Sequence, residues 1–97
     1  MIYLILWEAT NALTQADPQE RMKLIMSHIE MTKKDLESGQ VKMWGVSPGG
    51  GQGFSMGEGD AKELMAGIMK YTPYYNFEVK PMLSIDEVTE AMKSMQP

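Results

Sequence analysis

The apolar positions of this chain follow two rhythms, and the order in which the rhythms alternate sketches a fold. Residues 2–8 are an almost unbroken apolar run, with Ile2, Leu4 and Leu6 on one face and Tyr3, Ile5 and Trp7 on the other. A strand with one wet face alternates, whereas one that is apolar on both faces is covered on both. This run therefore predicts a central strand. Residues 9–16 are polar and read as a loop. Asp17-Pro18-Gln19-Glu20 then carries a helix start, with Asp17 as N-cap, Pro18 in the first turn and Glu20 at N3. The spacing predicts a helix over residues 18–38, stopped by Gly39, with Met22, Ile25, Met26, Ile29 and Leu36 as its buried stripe.

Residues 41–47 return to the strand rhythm, with Val41 and Met43 on one side and Trp44 and Val46 near or on the other. Pro48 to Gly53 is a turn, and residues 54–57 form a third short strand. Asp60 and Glu63 form a second capping pair, followed by Leu64, Met65, Ile68 and Met69 at helical spacing. In residues 74–82, Tyr75, Phe77 and Val79 face one way and Tyr74, Asn76, Glu78 and Lys80 the other. Ser84 and Glu87 cap a last helix over 85–95, with Ile85, Val88, Met92 and Met95 as its stripe.

Strand–helix–strand crossovers are right-handed, and two of them interleave into one antiparallel sheet with both crossover helices on a single face. The expected architecture is a single α+β domain over residues 1–97, ferredoxin-like βαββαβ with an extra C-terminal helix. Its four-stranded antiparallel sheet has strands one and three at the centre and helices on one face.

Composition narrows the chemistry. The 97 residues contain no cysteine, which excludes disulfides, thiolate metal sites and cysteine nucleophiles and suits a cytoplasmic location. A net charge of −4 argues against nucleic acid as a partner. The apolar start lacks a basic flank and reaches Glu8 too soon for a signal peptide or a membrane span. Eleven methionines are read as plastic core filling. One histidine and scattered carboxylates give no metal-ligand spacing, so no metal and no cofactor are expected.

Few motifs carry chemistry. The glycine run lacks the Lys-Ser/Thr of a phosphate loop and joins two strands, so it reads as a hairpin. The same topology occurs in RNA-recognition domains, but Gln52-Gly53-Phe54 lacks the basic lead residue and the later aromatics of their signature. His28 sits at the edge of the first helix stripe, and Glu8 ends strand one beside Trp7. Either could transfer protons, the first because imidazole titrates near neutral pH and the second if burial raises its carboxyl. The aromatics Tyr3, Trp7, Trp44 and Tyr74 are candidate ligand-binding residues on a sheet face that the crossover helices leave open, unless the Tyr3–Trp7 row of strand one is the core side, which its two apolar rows leave undecided.

The opening Tyr3-Leu4-Ile5-Leu6-Trp7-Glu8, then Trp44, Gly53-Phe54, Tyr71 and Phe77-Glu78-Val79-Lys80-Pro81, resemble a small ferredoxin-like family of the domain-of-unknown-function type. The resemblance spans nearly the whole chain and implies a fold-level relation to dimeric α+β-barrel proteins. It implies a homodimer and supplies no catalytic residues. Two functions are expected. The first is a small dimeric domain that binds a small apolar or aromatic ligand, or a protein partner, on its open sheet face. The alternative is a cofactor-free enzyme, isomerase or monooxygenase-like, that moves a proton in the same cleft with Glu8 or His28.

Overall fold

The computed structural model describes residues 1–96. Among them, four strands and four helices follow in the order β1 (Ile2–Ala9), α1 (Asn11–Thr14), α2 (Pro18–Ser38), β2 (Val41–Val46), β3 (Gln52–Glu58), α3 (Ala61–Met69), β4 (Tyr75–Met82) and α4 (Ile85–Ser94). The class is α+β, with one open four-stranded antiparallel sheet in the order β2-β3-β1-β4. The doubly apolar β1 is indeed interior, between β3 and β4.

The helix starts obey their capping residues, but with fewer reciprocal bonds than the sequence predicts. Asp17 accepts from the Gln19 N–H and Asp60 from the Glu63 N–H. Only Ser84 and Glu87 form both arms of a capping box among the described residues. Gly39 ends α2 at φ 81°, a conformation that a β-carbon would strain. The polar stretch expected as a plain loop contains α1, because Leu13 turns inward there and is only 4% exposed.

The faces of the sheet differ from expectation in one strand. A bulge between Val41 and Met43 shifts the β2 register. It moves Val41 to the same side as Trp44 and Val46, under the helices, and leaves Met43 on the other side. Along β1, Tyr3, Ile5 and Trp7 point to the helices. The opposite, uncovered face carries Leu4 and Leu6, cross-strand neighbours of Met56 and Phe54.

The helix stripes are only partly inward. In α2, Ile25, Ile29 and Leu36 line the space beneath the helix, Met22 and Met26 are exposed, and the two buried residues are His28 and Asp35. In α3, Met65 and Met69 point outward while Leu64 and Ile68 face the sheet. α4 packs on none of the layers: Ile85 is 78% and Met95 75% exposed. The domain is accordingly elongated, 62 × 24 × 24 Å. Its radius of gyration is 16.2 Å, against about 13 Å for a compact chain of this length.

Candidate functional site

The α2–α3 layer does not close onto the sheet. Between them lies a cavity of about 640 Å³. Its floor is aromatic. Trp7 and Trp44 stack with ring centroids 5.8 Å apart and planes 15° from parallel, and Tyr75 meets Trp7 edge-on at 5.5 Å. Glycine makes this possible. A β-carbon at position 53 would collide with the Gly45 carbonyl oxygen and the Trp7 ring, so only glycine lets the indole lie against β3. Trp7 Nε1 is buried there without a hydrogen-bond partner.

The opposite wall is polar. His28 Nδ1 lies 3.0 Å from the Tyr75 hydroxyl. The Tyr71 hydroxyl donates to Asp35 Oδ2 at 3.1 Å, and Lys70 Nζ donates to Oδ1 of the same carboxylate at 2.8 Å. Thr32 Oγ1 has one proton and two acceptors in reach, the His28 carbonyl at 2.9 Å and the Tyr71 oxygen at 3.2 Å. The phenols explain why polar residues occupy the inner line of α2: each half-buried hydroxyl needs a partner, and the helix supplies it.

Burial sets the protonation states. It lowers the His28 imidazole below its ordinary value, so the ring is neutral near pH 7. Burial also raises the Tyr75 phenol. Tyr71 is pushed up to about 12, first by burial and then by the Asp35 carboxylate, against a hydrogen bond from Thr32 that opposes the rise.

The match to a family of sequences spans residues 1–96. The chain belongs to the DUF3303 family, described as a domain of unknown function. No curated protein matches it.

The geometry of this DUF3303 domain redistributes the residues singled out in its sequence. Tyr3, Trp7 and Trp44 line the cavity beneath the helices, not the open sheet face where they were expected. Tyr74 does not line it, but its ring sits 5.3 Å from the His28 ring. Glu8 is exposed and lines a shallow depression with Leu6, Gln52, Asn76 and Glu78. The two proton-transfer candidates therefore do not share a cleft, because alternation along β1 sends Glu8 to the side opposite Trp7.

Thr32, Asp35, Lys70, Tyr71 and Tyr75 were not anticipated. A signal was present: positions 28, 32 and 35 are all polar and fall on one face of a helix. Among the described residues, no three His, Asp or Glu side chains converge to hold a metal ion, and no helix is long and apolar enough to cross a membrane.

Proposed function

We propose that this DUF3303 domain binds a small, largely apolar aromatic ligand in the cavity between its sheet and the α2–α3 layer. The observation that carries the reading is an aromatic-walled space of about 640 Å³ with one polar wall centred on His28. Sites for small molecules have this volume and this mix, mostly apolar surface with a few placed polar groups. A thermal-shift screen against metabolite fractions, with mass spectrometry of whatever stabilises the protein, tests it. Retention of an aromatic compound supports the reading; no stabilising fraction contradicts it.

Proton transfer on the bound ligand is the second reading, in the manner of a cofactor-free isomerase or monooxygenase. It is favoured by the His28–Tyr75 hydrogen bond, which couples an imidazole to a phenol at the cavity wall. His28 replaces Glu8 as the candidate acid–base in that reading.

Two further assignments accompany the site. The strand order, with α2 and α3 as crossovers on one face, supports a ferredoxin-like sheet to which α4 is appended. A second copy of the chain is the occupant we assign to the open sheet face, giving a homodimer. Ile2, Leu4, Leu6, Phe54 and Met56 form its apolar centre, with Glu78 and Lys80 beside them offering charges of both signs. The absence of cysteine suits a cytoplasmic setting.

A further inference from the structure

The cavity offers its occupant an unusual set of polar contacts. His28 is only 7% exposed, and its Nδ1 is taken by Tyr75. The Tyr75 hydroxyl has no other hydrogen-bond partner among the described residues. If the phenol donates, Nδ1 accepts and the ring proton sits on Nε2. If Nδ1 donates instead, both the phenol hydrogen and the Nε2 lone pair are left without partners in the protein. The first arrangement satisfies more groups, so the neutral ring carries its proton on Nε2.

Nε2 makes no hydrogen bond within the described protein, and His28 lines the cavity. Ser55, 9% exposed, also lines it, and its hydroxyl has no partner among the described residues. That hydroxyl adapts to donor or acceptor and selects for neither. Trp7 Nε1–H, buried in the floor without a partner among the described residues, is a second free donor and likewise calls for an acceptor, whereas other polar groups of the wall are occupied. Asp35 is held by Lys70 and Tyr71, Thr32 by the His28 carbonyl, and Arg21 by the Thr14 carbonyl.

Charge decides between acceptors. Asp35, Glu58, Asp60 and Glu63 line the cavity against Arg21 and Lys33, and Lys70 offsets Asp35. The surplus is acidic, which disfavours a carboxylate or phosphate. A donor at Nε2 in turn disfavours an ammonium group, which has no lone pair to accept with.

We infer that the ligand is a neutral aromatic carbonyl compound whose oxygen accepts from His28 Nε2–H while its rings lie among Trp7, Trp44 and Tyr75. This rests on the cavity reading given above and names the class of molecule that the cavity takes.

Calorimetry with four matched probes tests it on the full chain: 2-acetylnaphthalene, 2-ethylnaphthalene, 2-naphthoate and 2-naphthylmethylammonium. The ketone should bind about tenfold tighter than the hydrocarbon, the gain expected from pairing a buried N–H. The two ions should bind more weakly than the ketone. His28→Phe should erase the preference for ketone over hydrocarbon. Independently of that variant, nitrogen NMR of the unsubstituted protein should show His28 Nε2 protonated and Nδ1 not, at neutral pH.

Equal binding of ketone and hydrocarbon, preference for either ion, or a proton on Nδ1 overturns the carbonyl inference and leaves the cavity reading standing. Failure of all four probes to bind overturns both.

Discussion

His28 and Tyr75, 47 positions apart in the chain, meet with Nδ1 and the phenol oxygen 3.0 Å apart. The contact joins the middle of α2 to the first residue of β4 across the cavity, and it makes the only histidine of the chain an interior group.

That placement fixes a pH dependence. Burial lowers the His28 imidazole below its ordinary value of 6.5, so between 6.5 and the lowered value the unfolded chain binds more protons than the folded one. Stability therefore rises with pH across this window, is complete above 6.5 and falls as pH drops through it. Tyr71 and Tyr75, both raised, keep their protons there. Urea midpoints measured from mildly alkaline to mildly acidic pH should show the fall, and His28→Gln should flatten it. An equal acid slope in the variant would place the effect elsewhere.

The alkaline side has the opposite sign. Tyr71 holds its proton up to about 12 in the folded state, against 10.0 for an ordinary tyrosine. Between these values the folded protein binds the extra proton, so stability falls as pH rises. Tyrosinate absorbance should show a late-titrating class among the four tyrosines. Tyr71→Phe should remove its latest component, and an unchanged titration curve would contradict the burial of this hydroxyl.

Two glycines under the aromatic floor should respond unequally to alanine. At Gly45 a β-carbon would meet the Phe54 ring at 2.5 Å, and a side chain can swing away. At Gly53 it would meet the backbone oxygen of Gly45 as well as the Trp7 ring, and the backbone cannot. Gly53→Ala should cost about 1–3 kcal/mol, as overpacking does, and more than Gly45→Ala. Denaturant unfolding of both variants checks the order.

Much of the fold was legible in the sequence because its signals are local. Asp17-Pro18 and Gly39 bracket α2 at Pro18–Ser38, and Ser84 with Glu87 marks the start of α4. The double apolar rows of β1 announced an interior strand but could not say which row meets the helices, since both are equally apolar. The bulge at Val41–Met43 leaves no mark in the alternation and exchanges sides for one residue. In α2 the apolar pattern was right for Ile25, Ile29 and Leu36, which face the cavity, but missed the polar residues between them. Its inner line is His28, Thr32 and Asp35 because it faces phenols from the α3–β4 segment. That pairing spans the chain and has no signature in either segment alone. Met22 and Met26 of α2 end up outside, as do Met65 and Met69 of α3.

The open sheet face gives a prediction about assembly. Leu6 is exposed at its centre beside Phe54 and Glu78. Covering it, together with the half-buried Leu4, Phe54 and Met56, would gain roughly 25 cal/mol for each Å² of apolar surface removed from water. Sedimentation equilibrium at micromolar concentration should give a dimer that Leu6→Glu dissociates. Trp7→Glu should instead disturb the cavity, because Trp7 lies under the helices. A monomer, or a dimer indifferent to Leu6→Glu, would contradict a second copy on this face.

Ligand should enter beneath the helices and not on the exposed sheet surface, and an NMR titration locates it directly. With 2-acetylnaphthalene as the probe, backbone amide shifts should concentrate at Tyr3, His28, Trp44, Ser55, Tyr71 and Tyr75, which line the cavity. Shifts confined to Leu4, Leu6, Met56 and Glu78 of the open face, or no shifts at all, would contradict the account.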